Sequence, residues 1–196
     1  MRNMMLLALL AAVVTSGCAA GKDAVLKPSM VSKDFKDLDD ENPFARKATS
    51  VEFLKVGIKK YDAFFQDAAE VKGTVIIADV VLKETDGFIA SIKKDVKKGK
   101  VLTGPQQKRL KKEQGRLESL TKLLTDVPDR SGKLLDTSEG LAGGASKTFL
   151  GPDAIKLPAV VKGIQQSADA LKSAATKTPG LLKHAAKTTT ELADLN

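Results

Sequence analysis

The chain has 196 residues, with 32 Lys and Arg against 24 Asp and Glu, a formal charge of +8 and a pI near 9.5. That length holds one ordinary domain with a tail, and 42% hydrophobic with 29% charged residues fits a folded chain and excludes a disordered one. One Cys and one His exclude an intramolecular disulfide framework, Cys-rich zinc or iron–sulfur sites and most His-based metal sites.

In chain order, Met1-Arg2-Asn3 supplies a short positive start, and Met4 to Val14 form an unbroken apolar run. As a helix this run spans about 16 Å, roughly half a bilayer core, so it predicts a signal-peptide core and not a membrane span. Thr15-Ser16-Gly17-Cys18 follows, small residues ending on the only cysteine. The arrangement resembles the lipobox of bacterial lipoproteins, with Thr15 where that motif usually has Leu. The resemblance implies a diacylglycerol thioether on Cys18, cleavage between Gly17 and Cys18, and fatty acylation (palmitate or a similar chain) of the new amino group. Two or three acyl chains hold a protein firmly on a membrane where one binds marginally. Ala19 instead of Asp after the cysteine implies, by the same resemblance, sorting to the outer membrane, facing the periplasm.

Residues 18–48 are expected to be the lipidated N-terminus and a linker. Pro28, Pro43 and a mixed-charge run from Lys33 to Asn42 balance six basic against six acidic side chains over residues 19–48. Its apolar residues follow no sustained period, which predicts a flexible tether. The competing reading has part of it packed on the domain through Phe35, Leu38 and Phe44.

The remainder, residues 49–196, reads as a helical domain. Thr49 and Glu52 fit a capping box, predicting a long first helix from Ser50 to about Leu82. Leu54, Tyr61, Ala68, Val75 and Leu82 recur every seven residues, and Gly57, Phe64, Val71 and Ala78 fall three later. This two-row seam marks a helix packed lengthwise on others, so the β-branched run Val75–Leu82 is read as helix. Phe88, Ile89, Ile92 and Val96 continue it or begin another helix, with Gly99 as the stop. Thr103-Gly104-Pro105 starts the next helix, which Leu110, Leu117, Leu120 and Leu124 carry to about Asp126. Pro128 is expected to open a shorter segment closed by Gly143-Gly144. Pro152, Pro158 and Pro179 mark further starts, the last helix ending near Leu195. The fold class is therefore all-α: an elongated bundle of four to six helices with a long first helix, preceded by a signal peptide and a flexible tether. Phe53, Tyr61, Phe64, Phe65 and Phe88 concentrate in the first helical region, as the bulky half of a core or as a groove for an apolar ligand.

Chemistry-bearing patterns are sparse. His184 has no second His or Cys to share a metal with, and is expected on a helix face. Gly140–Gly144 lacks the phosphate-loop spacing and is expected to be a helix-ending loop. Glu84 and Asp86 stand two apart and would diverge on a helix. No serine has a nucleophile-elbow setting. No catalytic residue, cofactor or metal site is therefore expected.

One charge run remains. Lys93, Lys94, Lys97, Lys98, Lys100, Lys108, Arg109, Lys111 and Lys112 stand against a single acid, Asp95. If residues 97–104 form a turn between antiparallel helices, these charges gather at one end of the bundle. There they would attract anionic head groups, acidic glycans or an acidic protein. Nucleic acid is disfavoured by the exported location and by the lack of nearby aromatic residues for stacking. The expected function is a membrane-anchored envelope lipoprotein with a non-enzymatic adaptor or structural role; the alternative is a carrier holding a lipid between helices.

Overall fold

The computed structural model describes residues 29–33 and 51–195. The signal segment, Gly17, Cys18, Thr49, Ser50 and all of the predicted linker except Ser29–Lys33 lie outside the described residues. Strand β1 (Ser29–Lys33) pairs antiparallel with β2 (Val51–Lys55), Ser29 opposite Lys55 and Lys33 opposite Val51. Three long helices follow: α1 (Lys59–Lys97), α2 (Gly104–Thr148) and α3 (Leu157–Ala193), with a 3-10 turn at Gly151–Lys156 before α3. At about 1.5 Å per residue the 39, 45 and 37 residues of the helices make them roughly 58, 68 and 56 Å long. All-α is therefore the class, with one added hairpin.

The helices form because each carries a heptad seam, and they bundle because only shared burial removes those seams from water. In α1, Tyr61, Ala68, Val75, Leu82 and Ile89 make one buried row and Phe64, Val71, Ala78, Thr85 and Ile92 the other. In α2 the rows are Leu110, Leu117, Leu124, Ser131, Ser138 and Ala145, and Glu113, Leu120, Val127 and Leu141. In α3, Ile164, Leu171, Thr178, Ala185 and Leu192 recur at the same spacing. Cross-links fix the directions. Tyr61 Oη donates to the Leu141 carbonyl (3.1 Å) and Arg130 pairs with Glu70 (3.1 Å), so α2 runs antiparallel to α1. Asp86 meets His184 and Lys93 meets Glu191 at the same offset, so α3 runs parallel to α1.

The core divides along the axis. At the hairpin end, the large Tyr61, Phe64, Phe65 and Phe149 of α1 and the α2–α3 turn face the small Ala145 and Ala174. Tyr61 and Phe149 meet edge to face at 4.9 Å between centroids. At the other end Leu82, Ile89, Ile92, Leu110, Leu117 and Leu192 supply similar-sized aliphatics. The aromatic residues of the first helical region thus belong to the core, Phe53 at its margin.

Three expectations are corrected. First, residues 51–55, assigned to the first helix, are strand, and α1 begins at Lys59. The seam phase at Leu54 and Gly57 is fortuitous. Gly57 adopts φ +83°, which reverses the chain, and the Asp62 carboxylate accepts the Val56 N–H (2.6 Å) and the Gly57 N–H (3.1 Å) across that reversal. Second, Ser29–Lys33, assigned to the tether, is the strand that pairs with it. Third, Pro128, Gly143-Gly144 and Pro179 do not divide helices, so among the described residues three long helices stand where four to six were expected. Both prolines lie exposed while Leu124, Val127, Ala174 and Thr178 around them stay buried. The proline rings thus face water, and seam burial on both sides outweighs the roughly 3 kcal/mol penalty.

Gly163 marks where the hairpin docks: a Cβ there would lie 2.9 Å from Leu54 Cδ2 and 3.1 Å from the buried Phe65 ring. Gly163→Ala is expected to lower stability by about 1 kcal/mol or more despite better helix propensity. Gly132→Ala, with open space around it, should raise stability by about 0.5–1 kcal/mol. Denaturant unfolding followed by circular dichroism checks both signs.

Candidate functional site

The end of the bundle opposite the hairpin is built by a short turn whose parts are legible residue by residue. α1 stops where Gly99 takes φ +72°, its N–H donating back to the Val96 carbonyl (2.9 Å). α2 starts at a full capping box: Gln106 N–H donates to Thr103 Oγ1 (3.4 Å) and Thr103 N–H to Gln106 Oε1 (2.8 Å). Asp95 ties the two helices together, accepting from Lys100 Nζ (3.2 Å) and Gln106 Nε2 (3.4 Å). The single acid of the run is therefore a brace for the turn.

This turn brings all nine predicted basic residues to one end. Lys93, Lys94, Lys97, Lys98, Lys100, Lys108, Lys111 and Lys112 are exposed, on the last turns of α1, the connection and the outer face of the first turns of α2. Arg109 differs from the rest. It is half-buried, its guanidinium stacked 4.3 Å over the Phe88 ring and 3.5 Å from the Glu113 carboxylate. It is a structural cation first. The C-terminal turns of α3 border the tip, where Glu191 accepts from Lys93 at 2.6 Å with Lys187 3.6 Å away. The hydrogen bond from Lys93 holds the Glu191 carboxyl below the usual range. A carboxylate of lowered pKa adds stability above its unfolded value and loses it as pH falls, so this brace between α1 and α3 weakens in acid.

Behind the tip lies a polar layer that the sequence reading missed. Glu113, 3% exposed, occupies a seam position of α2. Its Oε2 lies 3.0 Å from Thr85 Oγ1 and 3.4 Å from Arg116 Nη1, while Arg116 Nη2 reaches Glu84 at 3.4 Å. A buried carboxylate is tolerable only with such partners. The signal was available: Glu113 falls midway in the row Leu110, Glu113, Leu117, where an apolar residue is expected. Beside Thr85, Asp86 faces α3, accepting from Thr188 Oγ1 (3.1 Å) and bonding His184 Nε2 (2.7 Å). Glu84 and Asp86 thus diverge, as their spacing predicts, one to each neighbouring helix. His184 is an interhelical latch. Gly140–Gly144 is not the helix-ending loop expected of it but mid-helix backbone within α2.

Among the described residues there is no group of three or more His, Cys, Asp and Glu side chains able to hold a metal ion, and no helix long and apolar enough to cross a membrane. No family model, no curated protein and no solved structure matches this chain.

The tip therefore contains two kinds of cation. Arg109→Ala is expected to lower stability by about 0.5–1 kcal/mol through its lost ring and carboxylate contacts. Lys98→Ala and Lys111→Ala should stay within about 0.5 kcal/mol of the parent. Thermal unfolding of the three variants separates the brace from the free surface.

Proposed function

We propose that the chain is a lipid-anchored bacterial envelope lipoprotein whose bundle serves as a non-enzymatic adaptor, holding a basic end toward an anionic envelope component. The observation that carries this reading is the gathering of eight exposed lysines at one end of the bundle. The described chain begins at the other end, where Ser29 pairs with Lys55. Anchor and charge therefore belong to opposite ends of a rod. Lipidation at Cys18, with cleavage after Gly17 and outer-membrane placement through Ala19, rests on the lipobox resemblance.

Clustered exposed lysines sum their fields at a convex tip, and such a field steers anionic partners at long range. Polymers bearing repeated carboxylates or phosphates, or an acidic protein face, suit it best, because many weak contacts add without shape-specific pockets. The carrier alternative is weaker on the same observations. Tyr61, Phe64, Phe65 and Phe88 are buried within the two core clusters, where a ligand groove would leave them exposed.

Two measurements bear on this proposal. Cys18→Ala should abolish labelling by a clickable fatty acid and leave the unprocessed precursor; persistent labelling overturns the lipidation. Reversal of the free lysines (Lys97, Lys98, Lys108 and Lys111 to Glu) should weaken capture of crosslinked envelope material about tenfold or more. It should also remove the salt sensitivity of that capture. Unchanged capture would move the binding surface off the tip.

A further inference from the structure

We propose that the hairpin end of the bundle is a membrane-contacting foot, in which the α2–α3 turn inserts Leu150 and Ile155 among anionic phospholipid head groups. This deepens the anchored reading above and rests on it. Six large apolar side chains are exposed among the described residues, and two of them, Leu150 (66%) and Ile155 (46%), share this one turn. Their exposure is held in place. Phe149 plugs into the core against Tyr61, and extended backbone at Leu150 sends the next side chain outward. Gly151, at φ +57°, then folds the chain into the 3-10 turn that carries Ile155. The turn is braced to the rest of the end by Lys156 Nζ, which donates to the Val56 carbonyl at 3.0 Å.

Exposed cations stand at the same end: Lys55 at the end of β2, Lys59 at the start of α1 and Lys147 at the end of α2. Two acids at this end are engaged, while Glu52 on β2 is exposed. Asp153 pairs with Lys156 at 2.9 Å, and Asp62 accepts backbone N–H groups. Protruding aliphatic side chains accompanied by exposed lysines fit the boundary between anionic head groups and acyl chains. Chain length selects the same surface. β1 opens at Ser29, level with Lys55 and one residue from the Val56 that Lys156 braces. Only ten residues separate Ser29 from Cys18, a reach of at most about 40 Å. A lipid on Cys18 therefore holds this end within about 40 Å of the membrane, while the basic tip lies about 58 Å farther along α1.

The chain has no tryptophan, so a single introduced one reports its own surroundings. Full-length Leu150→Trp and Val101→Trp chains, the latter at the opposite tip where Val101 is 87% exposed, are purified from membranes of expressing bacteria. Each is reconstituted into phosphatidylethanolamine–phosphatidylglycerol vesicles containing acyl-brominated phosphatidylglycerol. Flotation reads the anchor and bromine quenching reads the foot. The expected result is flotation of both chains, with quenching several-fold stronger for Leu150→Trp. Flotation without quenching at position 150 overturns the foot and leaves the anchor standing. Quenching equal at both positions, or stronger at position 101, also overturns it, because the rod then lies flat or inverted. Failure to float removes the anchor reading and the foot with it. A lipid-free blue shift at position 150 that grows with protein concentration assigns the patch to a second copy of the chain and overturns the membrane contact.

Discussion

The apolar seam repeating every seven residues through all three helices is the constraint on which everything else depends. An isolated helix of any of these sequences would leave one stripe of apolar side chains in water, and helix propensity alone would not hold it together. Three stripes buried against one another remove that cost jointly. Because each stripe keeps nearly the same period over about 37 to 45 residues, the helices must lie lengthwise and end nearly level. The ends of the rod, where the turns lie, are therefore fixed by the seam. So is the crowding of charge that those turns bring about.

Seam burial also explains what the rod tolerates. Pro128 and Pro179 each delete a helix hydrogen bond, and Gly132, Gly140, Gly143 and Gly144 each weaken propensity. None breaks its helix, because each lies off the buried row. Polar residues also stand on or beside the row itself, some of them paired, though the buried Ser131 hydroxyl has no hydrogen-bond partner among the described residues. Glu113 replaces an apolar seam residue and is held by Thr85 and Arg116. Two residues on from Glu84, Asp86 latches α3 through His184 and Thr188. A slip of one heptad would strand the Glu113 charge opposite aliphatic side chains. The polar layer thus selects one register among several that the apolar rows alone would accept, a recognised role of buried polar groups in such bundles.

Much of this was legible beforehand. The rows through Tyr61, Ala68, Val75 and Leu82 read directly as the buried face of α1, and the turn at residues 98–103 was signalled by Gly99, Thr103 and Pro105. The basic tip followed from those two readings. The prolines misled because a local rule was applied without weighing the long-range burial on either side of each. The hairpin was hidden for a different reason. Leu54 and Gly57 happen to continue the heptad phase of α1, while the strand that pairs with residues 51–55 lies some twenty residues away, and pairing partners cannot be read from local periodicity. The reversal at Gly57 depends on Asp62, whose role appears only once its carboxylate is seen against the Val56 and Gly57 N–H groups.

A rod with unlike ends constrains function even where partners are unknown. At physiological ionic strength exposed charges are screened over about 8 Å. Under the proposed anchoring at Cys18, the lysine tip would stand several screening lengths from the membrane with the rod upright. Its field is then spent on whatever lies farther out. Lying flat would let the same lysines reach head groups on such a membrane, and a leash of up to about 40 Å is long enough to allow it. The proposed foot would oppose it: Leu150 and Ile155 project from the turn closing α2, so on a membrane they would leave water only when that end meets the surface. If the chain is anchored as proposed, the orientation of the rod, and hence the choice between an adaptor that spans a gap and a protein that coats the membrane, turns on that one exposed turn.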